Sequence, residues 1–185
     1  MGKNVVILNG SPRLNGNTAV LLQAFSEGAT AAGHEVCRFD LSTMNVHPCI
    51  GCCGGGKDPN HPCTQRDDME QIYSAILKAD VVVWASPMYY WSVSAQLKIA
   101  IDRLFALAEG VPGFVHPEKD VVLLMCAGSD GEENFAPVRA YYNSLVKNLG
   151  WRDAGIVYAG GNYSVGDILN RPEQLEEARK LGASL

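Results

Sequence analysis

Short runs of consecutive apolar residues alternate with helical segments along most of the 185-residue chain. Near-continuous Val, Ile and Leu positions are typical of parallel strands that are covered on both faces of a sheet. Four runs predict strands of this kind, at residues 4–9, 79–86, 120–127 and 153–160. Residues 34–41 alternate apolar and polar positions more regularly, which predicts a fifth strand closer to the edge of the sheet.

Segments with helical periodicity lie between and after the predicted strands. Apolar residues recur three or four positions apart in these segments: 17–32, 67–79, 94–105, about 134–148, and from Pro172 onwards. Because strand and helix alternate five times, the sequence predicts an α/β fold of three layers with a five-stranded parallel sheet. We expect one domain over residues 1–185, with irregular segments at 42–66 and 106–119.

Several polar side chains in the helical segments have expected structural roles. Asp67 and Ser94 are each placed to cap the start of the helix that follows. We expect Asp102 and Arg103 to form an exposed or interface ion pair and to take no part in catalysis. No Ser-His-Asp set and no pair of carboxylates stands out for acid–base work.

Charge and composition exclude some classes of partner. The chain has 15 Lys and Arg residues against 20 Asp and Glu residues, a net charge of −5, whereas nucleic-acid binding requires a basic surface. No apolar run approaches the roughly 20 residues of a membrane-spanning helix. The chain begins directly with strand-like sequence and no signal peptide, so we expect a cytoplasmic protein whose cysteines are thiols or metal ligands.

A parallel sheet also predicts where a ligand binds. In open α/β sheets, ligands lie beyond the carboxyl ends of the strands, at the point where the strand order reverses. We therefore expect the loops after the strands at 4–9, 79–86 and 120–127 to converge on one site.

The first of these loops, LNGSPRLNGNT at residues 8–18, has the composition of an anion site. Backbone N–H groups at a helix start favour an anion, and several side chains add donors: Ser11, Asn15, Asn17, Thr18 and the cation Arg13. A nucleoside-triphosphate loop would have lysine where this chain has Asn17. The loop favours a phosphate monoester. The alternative is a polar turn in which Asn17 or Thr18 caps the helix and nothing binds.

The second loop places aromatic side chains at the mouth of the predicted sheet. After the strand at 79–86 the chain continues with Pro87, Met88, Tyr89, Tyr90 and Trp91. Three consecutive side chains point in different directions, so at least one aromatic ring should face the crevice and stack on a planar ligand. The alternative is an aromatic plug over the sheet end, or a contact between subunits.

Together the two loops carry a family resemblance. The sequences GSPRLNGNT and SPMYYWSVSAQLKIAIDR resemble the flavodoxin-like NAD(P)H-dependent FMN reductases and the related iron-sulfur flavoproteins, over roughly residues 3–160. The resemblance implies a flavodoxin-like sandwich whose first loop holds the FMN phosphate, through Ser11, Arg13, Asn15, Asn17 and Thr18. It places residues 87–91 against the isoalloxazine ring and ribityl chain, and the ring pocket is completed by Ala127, Gly128 and Ser129.

The same resemblance implies an activity. In such enzymes NAD(P)H reduces FMN, and FMN passes the electrons to a quinone, a flavin or a protein acceptor. It also implies a homo-oligomer, a dimer or tetramer. One alternative is a flavodoxin-like or iron-sulfur flavoprotein electron carrier without NAD(P)H turnover. A second alternative is a non-enzymatic binding module that has lost the flavin.

Six cysteines raise a separate question about metals. Cys37 and Cys126 lie in predicted strands, so we expect both to be buried. The other four have the spacing C-x2-C-C-x9-C: Cys49, Cys52, Cys53 and Cys63. In the iron-sulfur flavoproteins that this chain resembles, C-x2-C-x2-C and a fourth cysteine bind a [4Fe–4S] cluster, whereas Gly55 stands at the third position here.

The cysteine pattern leaves four interpretations open. A [4Fe–4S] cluster would use all four thiolates. A zinc ion would take three thiols and one imidazole, from Cys49, Cys52, Cys63 and either His61 or His47. The C-x2-C pair would alternatively be redox-active. The fourth interpretation is a cysteine-rich loop without a metal.

Overall fold

The computed structural model describes residues 2–58 and 60–185 of the chain. Its five parallel strands are β1 (Asn4–Asn9), β2 (Glu35–Asp40), β3 (Val81–Pro87), β4 (Asp120–Cys126) and β5 (Arg152–Ala159). They form one sheet in the order β2-β1-β3-β4-β5. This is the flavodoxin-like strand order, and it confirms the predicted α/β class and the five-stranded parallel sheet.

Helices cover both faces of the sheet. They are α1 (Asn17–Ala31), α2 (Met69–Lys78), α3 (Ala95–Arg103), α4 (Ala106–Glu109), α5 (Glu132–Leu149) and α6 (Pro172–Ala183). One apolar core lies beneath α1 and α6, and the other lies beneath α2, α3, α4 and α5. Across residues 2–58 and 60–185, none of the helices combines the length and the apolar character that a membrane span requires.

The strand sequences follow from this three-layer arrangement. Successive side chains of a strand point to opposite faces, so a strand covered on both sides must be apolar at every position. In β1, Val5 and Ile7 pack into the core beneath α1 and α6. Val6 and Leu8 pack into the opposite core. All four side chains are buried, which explains the uninterrupted apolar run.

Two local expectations were wrong. The segment 106–119, predicted to be irregular, begins with the short helix α4. Cys37 is exposed, not buried, because β2 is an edge strand. Cys126, on β4 inside the sheet, is buried as predicted.

Arg103 also differs from expectation. It is 1% exposed, and its partner is Asp67, not the neighbouring Asp102. Arg103 Nη1 donates to Asp67 Oδ2 and to the His47 carbonyl, both at 2.8 Å, and Nη2 donates to Asp67 Oδ1 at 3.1 Å. Asp102 instead forms an exposed pair with Lys98 one helical turn away. A buried, multiply bonded ion pair therefore joins α3 to the chain before α2.

Asp67 closes the base of a long segment. Besides its bonds to Arg103, its carboxylate accepts from the backbone N–H of His47 at 2.9 Å and of Met69 at 3.1 Å. The N-cap of α2 is Asp68, one residue after the expected Asp67, and its side chain makes no capping bond. Asp67 instead binds the N–H of Met69, the first helical residue, and has a larger tertiary role. Both ends of the segment 47–67, which contains the cysteines, are fixed to the same arginine.

We predict that Asp67→Ala lowers the free energy of unfolding by about 3–5 kcal/mol, because it leaves the Arg103 charge buried without a partner. Urea unfolding measures the change. The matched control is Asp102→Ala at the exposed pair, where we expect a change below about 0.5 kcal/mol. Equal effects of the two substitutions would contradict the assignment of the buried pair.

The same pair predicts a pH dependence. Burial alone would raise the pKa of Asp67, but the hydrogen bonds from Arg103 and from backbone N–H groups outweigh it, so its pKa lies below the ordinary value. The stabilisation is therefore complete above the unfolded-state pKa of about 3.9 and is lost as the pH falls through the folded-state value. The stability difference between the wild type and Asp67→Ala should shrink in acid.

Candidate functional site

A cavity of about 830 Å³ opens beyond the carboxyl ends of β1, β3 and β4. Its lining residues come from four loops: Ser11, Arg13, Gly16, Asn17, Thr18, Pro87, Met88, Tyr89, Tyr90, Trp91, Cys126, Ala127, Gly128, Ser129, Asn134, Asn162 and Tyr163. The three loops expected to converge do so. Of the predicted cofactor-binding residues, only Asn15 is not among the lining residues, and it is exposed.

At one end of the cavity α1 begins. Gly16 precedes the helix in an extended conformation, and its carbonyl accepts from the N–H groups of Ala19 and Val20. The first N–H groups of a helix have no partner within it, and they carry partial positive charge. Asn17 and Thr18 are the first two helical residues, and the N-cap residue Gly16 has no side chain that could cap the helix. The geometry leaves a place for an anion.

The loop before α1 is shaped around Ser11. The Ser11 backbone N–H donates to Asn9 Oδ1 at 3.1 Å, and its hydroxyl donates to the Arg13 carbonyl at 3.0 Å. The same hydroxyl accepts from the Arg13 N–H at 3.2 Å. The hydroxyl hydrogen of Ser11 is therefore engaged within the loop. Arg13 is the one cation among the lining residues, and its side chain is exposed.

The side-chain amide of Asn17 is already hydrogen-bonded to the loop after β5. Its amide nitrogen donates to the carbonyls of Asn162 at 3.1 Å and Ser164 at 2.8 Å, and its oxygen accepts from Gly166 N–H at 3.0 Å. Asn17 therefore ties the loop after β5 to the start of α1. Its side chain builds the cavity wall, while its backbone N–H lies at the helix start.

The loop after β5 forms a further wall of the cavity, which was not predicted from the sequence. Tyr163 lies against Gly128, where an added Cβ would be only 2.9 Å from the tyrosine ring. A larger residue at this position would displace the tyrosine ring. The Asn162 amide nitrogen is fixed by the Ala159 carbonyl at 3.0 Å and by Gln174 Oε1 at 2.8 Å. A polar, glycine-rich stretch after the fifth strand was the available signal.

The aromatic loop forms a tight turn. Tyr89 and Ser92 exchange backbone hydrogen bonds of 3.0 and 3.1 Å around Tyr90 and Trp91. Both central residues have left-handed backbones, with φ of 48° and 58°. This pattern is that of a type I′ turn, in which Asn-Gly is the favoured pair. Tyr90 is 95% exposed, so packing within this chain does not explain its strained position.

Buried hydrogen bonds hold this turn at its base. Ser94 N–H donates to Ser86 Oγ at 2.8 Å, and Ser94 Oγ donates to the Gly10 carbonyl at 2.7 Å. Ser94 Oγ also accepts from Leu97 N–H at 3.3 Å, which confirms its expected role as the cap of α3. The first and second loops are thus joined directly, and the ends of the aromatic loop are rigid.

The side chains of the cavity are poor acid–base catalysts. The lining residues include no Asp, Glu, His or Lys. Burial raises the pKa of the Cys126 thiol to about 12, although a hydrogen bond with Thr18 lowers it in part. Cys126 is therefore a protonated, inert thiol at neutral pH. A cavity with an anion end, an aromatic wall and no Asp, Glu, His or Lys in its lining fits a planar, phosphate-bearing cofactor that brings its own reactivity.

The cysteine segment lies elsewhere, against α3 and α4. Cys49, Cys52 and Cys53 are exposed, Cys63 is half-buried, and all four line a cavity of about 50 Å³. The hydrogen bond with Thr64 and one from the Gly54 backbone hold the pKa of the Cys52 thiol below its ordinary range.

This segment does not assemble the predicted metal ligands. Within the described ranges 2–58 and 60–185, no three Cys, His, Asp or Glu side chains are grouped so that they can hold a metal ion. His61 Nδ1 lies 3.1 Å from Glu70, and His47 Nδ1 lies 3.7 Å from Asp67. In this arrangement the cysteines fit neither a [4Fe–4S] cluster nor a zinc ion.

Known proteins that are similar to this chain belong to flavin-dependent families, in keeping with the shape and lining of the cavity. The family model described as NADPH-dependent FMN reductase matches residues 3–158. An iron-sulfur flavoprotein of Archaeoglobus fulgidus is 32% identical over 178 residues, which are 95% of this chain and 76% of that protein. An iron-sulfur flavoprotein of Methanocaldococcus jannaschii is 28% identical over 183 residues, 96% of this chain and 93% of that protein. These matches confirm the resemblance predicted from the loop sequences.

Solved structures share the fold. The NAD(P)H:quinone oxidoreductase from Methanothermobacter marburgensis superposes with a TM-score of 0.79 at 23% identity. The superposition covers 100% of this chain and 96% of that one. At this level of identity the likeness shows a common architecture.

The aromatic turn generates a stability prediction. Asparagine tolerates the left-handed backbone that tyrosine disfavours, so Tyr90→Asn should be more stable than Tyr90→Ala by about 1 kcal/mol. Both variants remove the same exposed ring, and only Asn relieves the strain, which makes Tyr90→Ala the matched control. Urea unfolding of the flavin-free protein measures the difference. Indistinguishable midpoints would show that the turn is not strained.

Proposed function

The chain belongs to the family of NADPH-dependent FMN reductases and iron-sulfur flavoproteins, and from that premise we propose that it is an FMN-dependent NAD(P)H oxidoreductase. FMN binds in the cavity at the ends of β1, β3 and β4, and electrons pass to a quinone, a flavin or a protein acceptor. One observation carries the proposal: a single cavity joins a helix start and Arg13 to an aromatic wall, and its lining residues include no Asp, Glu, His or Lys.

The residues of the first loop would hold the phosphate. The free N–H groups at the start of α1 and the Arg13 guanidinium supply positive potential for a dianion. Ser11 fixes the loop by its internal hydrogen bonds, and Asn17 holds the loop after β5 in place. The phosphate would thus meet a site that is organised before it binds.

The remaining loops would bind and shield the ring system. Residues 87–91 and 127–129 form apolar walls, and Tyr163 closes the side next to Gly128. Bound FMN would supply hydride acceptance from the nicotinamide and electron donation to the acceptor. The chain's own part is to orient the ring, exclude water from one face and leave the other open.

The exposed rim of the cavity also supports an assembly. Tyr89, Tyr90 and Trp91 are between 46% and 95% exposed at the cavity mouth. Exposed aromatic residues grouped at a binding site are typical of a surface that meets a second molecule. We propose that the protein acts as a dimer or tetramer, in which a neighbouring subunit approaches this rim.

Absorption and turnover measured on one preparation test the proposed function. We expect flavin absorption bands, and oxidation of NADH or NADPH that is sustained by a quinone or by free FMN. If the protein holds FMN and turns over neither nucleotide with any acceptor, it is an electron carrier. A protein that takes up no FMN would refute the proposal and point to a binding module that has lost the flavin.

We predict that Arg13→Ala raises the Kd for FMN by about 10- to 100-fold, because a charge-assisted hydrogen bond to the phosphate contributes about 1.5–3 kcal/mol. Quenching of flavin fluorescence on titration measures the affinity. Riboflavin is the matched control, since it has the same ring and no phosphate, and its affinity should stay unchanged. An equal loss for both ligands would mean that Arg13 does not contact the phosphate.

A further inference from the structure

We infer that Glu109 occupies the place of the third cluster ligand, and that this chain works with FMN and without a [4Fe–4S] cluster. The inference concerns the segment 47–67 and goes beyond the proposed flavin activity. It depends on what surrounds Gly55, the residue at the third cysteine position of the motif C-x2-C-x2-C.

The space beside Gly55 is already filled. The Gly55 N–H donates to Glu109 Oε2 at 2.8 Å. A Cβ added to Gly55 would lie 2.7 Å from the Pro62 carbonyl oxygen and closer still to Glu109 Oε2. Real Cβ atoms essentially never approach other atoms so closely. A cysteine therefore has no room here, and a carboxylate from α4 meets the backbone where a thiolate would otherwise stand.

A contact between two glycine backbones also holds the segment 47–67 against the C-terminal end of α4. Gly56 has a left-handed backbone, with φ of 71°, and lies against the backbone of Gly110, directly after α4. A side chain at either glycine would collide with the other. The Gly56 N–H also donates to the Pro62 carbonyl at 2.7 Å. The Glu109 contact is therefore part of a close backbone-to-backbone packing.

The adjacent thiols of Cys52 and Cys53 diverge. Cys52 Sγ shares a hydrogen bond of 3.1 Å with Thr64 Oγ1. Cys53 has a left-handed backbone, with φ of 47°, and its thiol points to the Gly51 carbonyl at 3.8 Å. Two thiolates directed to different neighbours do not meet one cluster.

The pocket that the cysteines line is also small. The cavity lined by the cysteines has a volume of about 50 Å³. By the same measure the cavity at the carboxyl ends of β1, β3 and β4 has about 830 Å³. A [4Fe–4S] core has four irons and four sulfides. To admit it the segment would have to expand, while Arg103 and Asp67 fix its base and Glu109 fixes its middle.

Iron analysis tests the inference. The purified protein is incubated without oxygen with ferrous iron and sulfide, desalted, and assayed for iron, acid-labile sulfide and FMN. The Archaeoglobus fulgidus relative, reconstituted in parallel, sets conditions under which an iron-sulfur flavoprotein takes up iron. We expect less than about one iron per chain here, against about four for a [4Fe–4S] centre. Two or more irons with matching sulfide would overturn the inference, whatever the FMN content.

Hydrogen exchange tests the role of Glu109. Glu109→Ala removes the acceptor of the Gly55 N–H and should speed exchange at that amide by roughly tenfold. Glu109→Gln is the matched control, because its amide oxygen still accepts and should keep most of the protection. FMN affinity should stay unchanged in both variants. Unchanged exchange at the Gly55 amide in Glu109→Ala would refute the hydrogen bond between Gly55 and Glu109.

Discussion

The reversal of strand order between β1 and β3 is the constraint on which the candidate site depends. From β1 the chain crosses to β2 on one side, and the next crossover returns to β3 on the other. The loops that leave β1 and β3 therefore separate and open a crevice between them. Buried Ser94 joins the two loops across this crevice, through Ser86 and the Gly10 carbonyl. The cavity is thus a consequence of topology that a few hydrogen bonds make rigid.

Rigidity at the base explains how strain is tolerated at the rim. Left-handed tyrosine and tryptophan residues persist only where their surroundings over-determine the backbone. Here the Ser86–Ser94 bond fixes the base of the loop, and paired hydrogen bonds between Tyr89 and Ser92 close its tip. The exposed ring of Tyr90 contributes little to the stability of this chain, so packing within the chain does not explain its position.

The elements were predictable where burial alone decides them. Uninterrupted Val, Ile and Leu in β1 follow from cover on both faces. Of the cofactor residues predicted from the loops and the family resemblance, all but Asn15 line the cavity. Contacts between distant residues were not predictable. Arg103 meets Asp67 across 36 positions, and Asn17 meets Asn162 across 145. Both pairs depend on how the helices and loops pack against the sheet, and local sequence patterns do not determine that packing.

In the cysteine segment, too, the sequence pattern did not predict the contact between distant residues that decides the structure. Its motif is local, but a cluster needs ligands that converge in space, and Glu109 comes from a helix end 54 residues away. Without a cluster, no relay leads electrons from the flavin to the surface at α4. An acceptor would then have to reach the flavin cavity itself, past Tyr90 and Trp91. The choice of acceptor would therefore be made at the aromatic rim, the same surface whose strained backbone the fold alone does not explain.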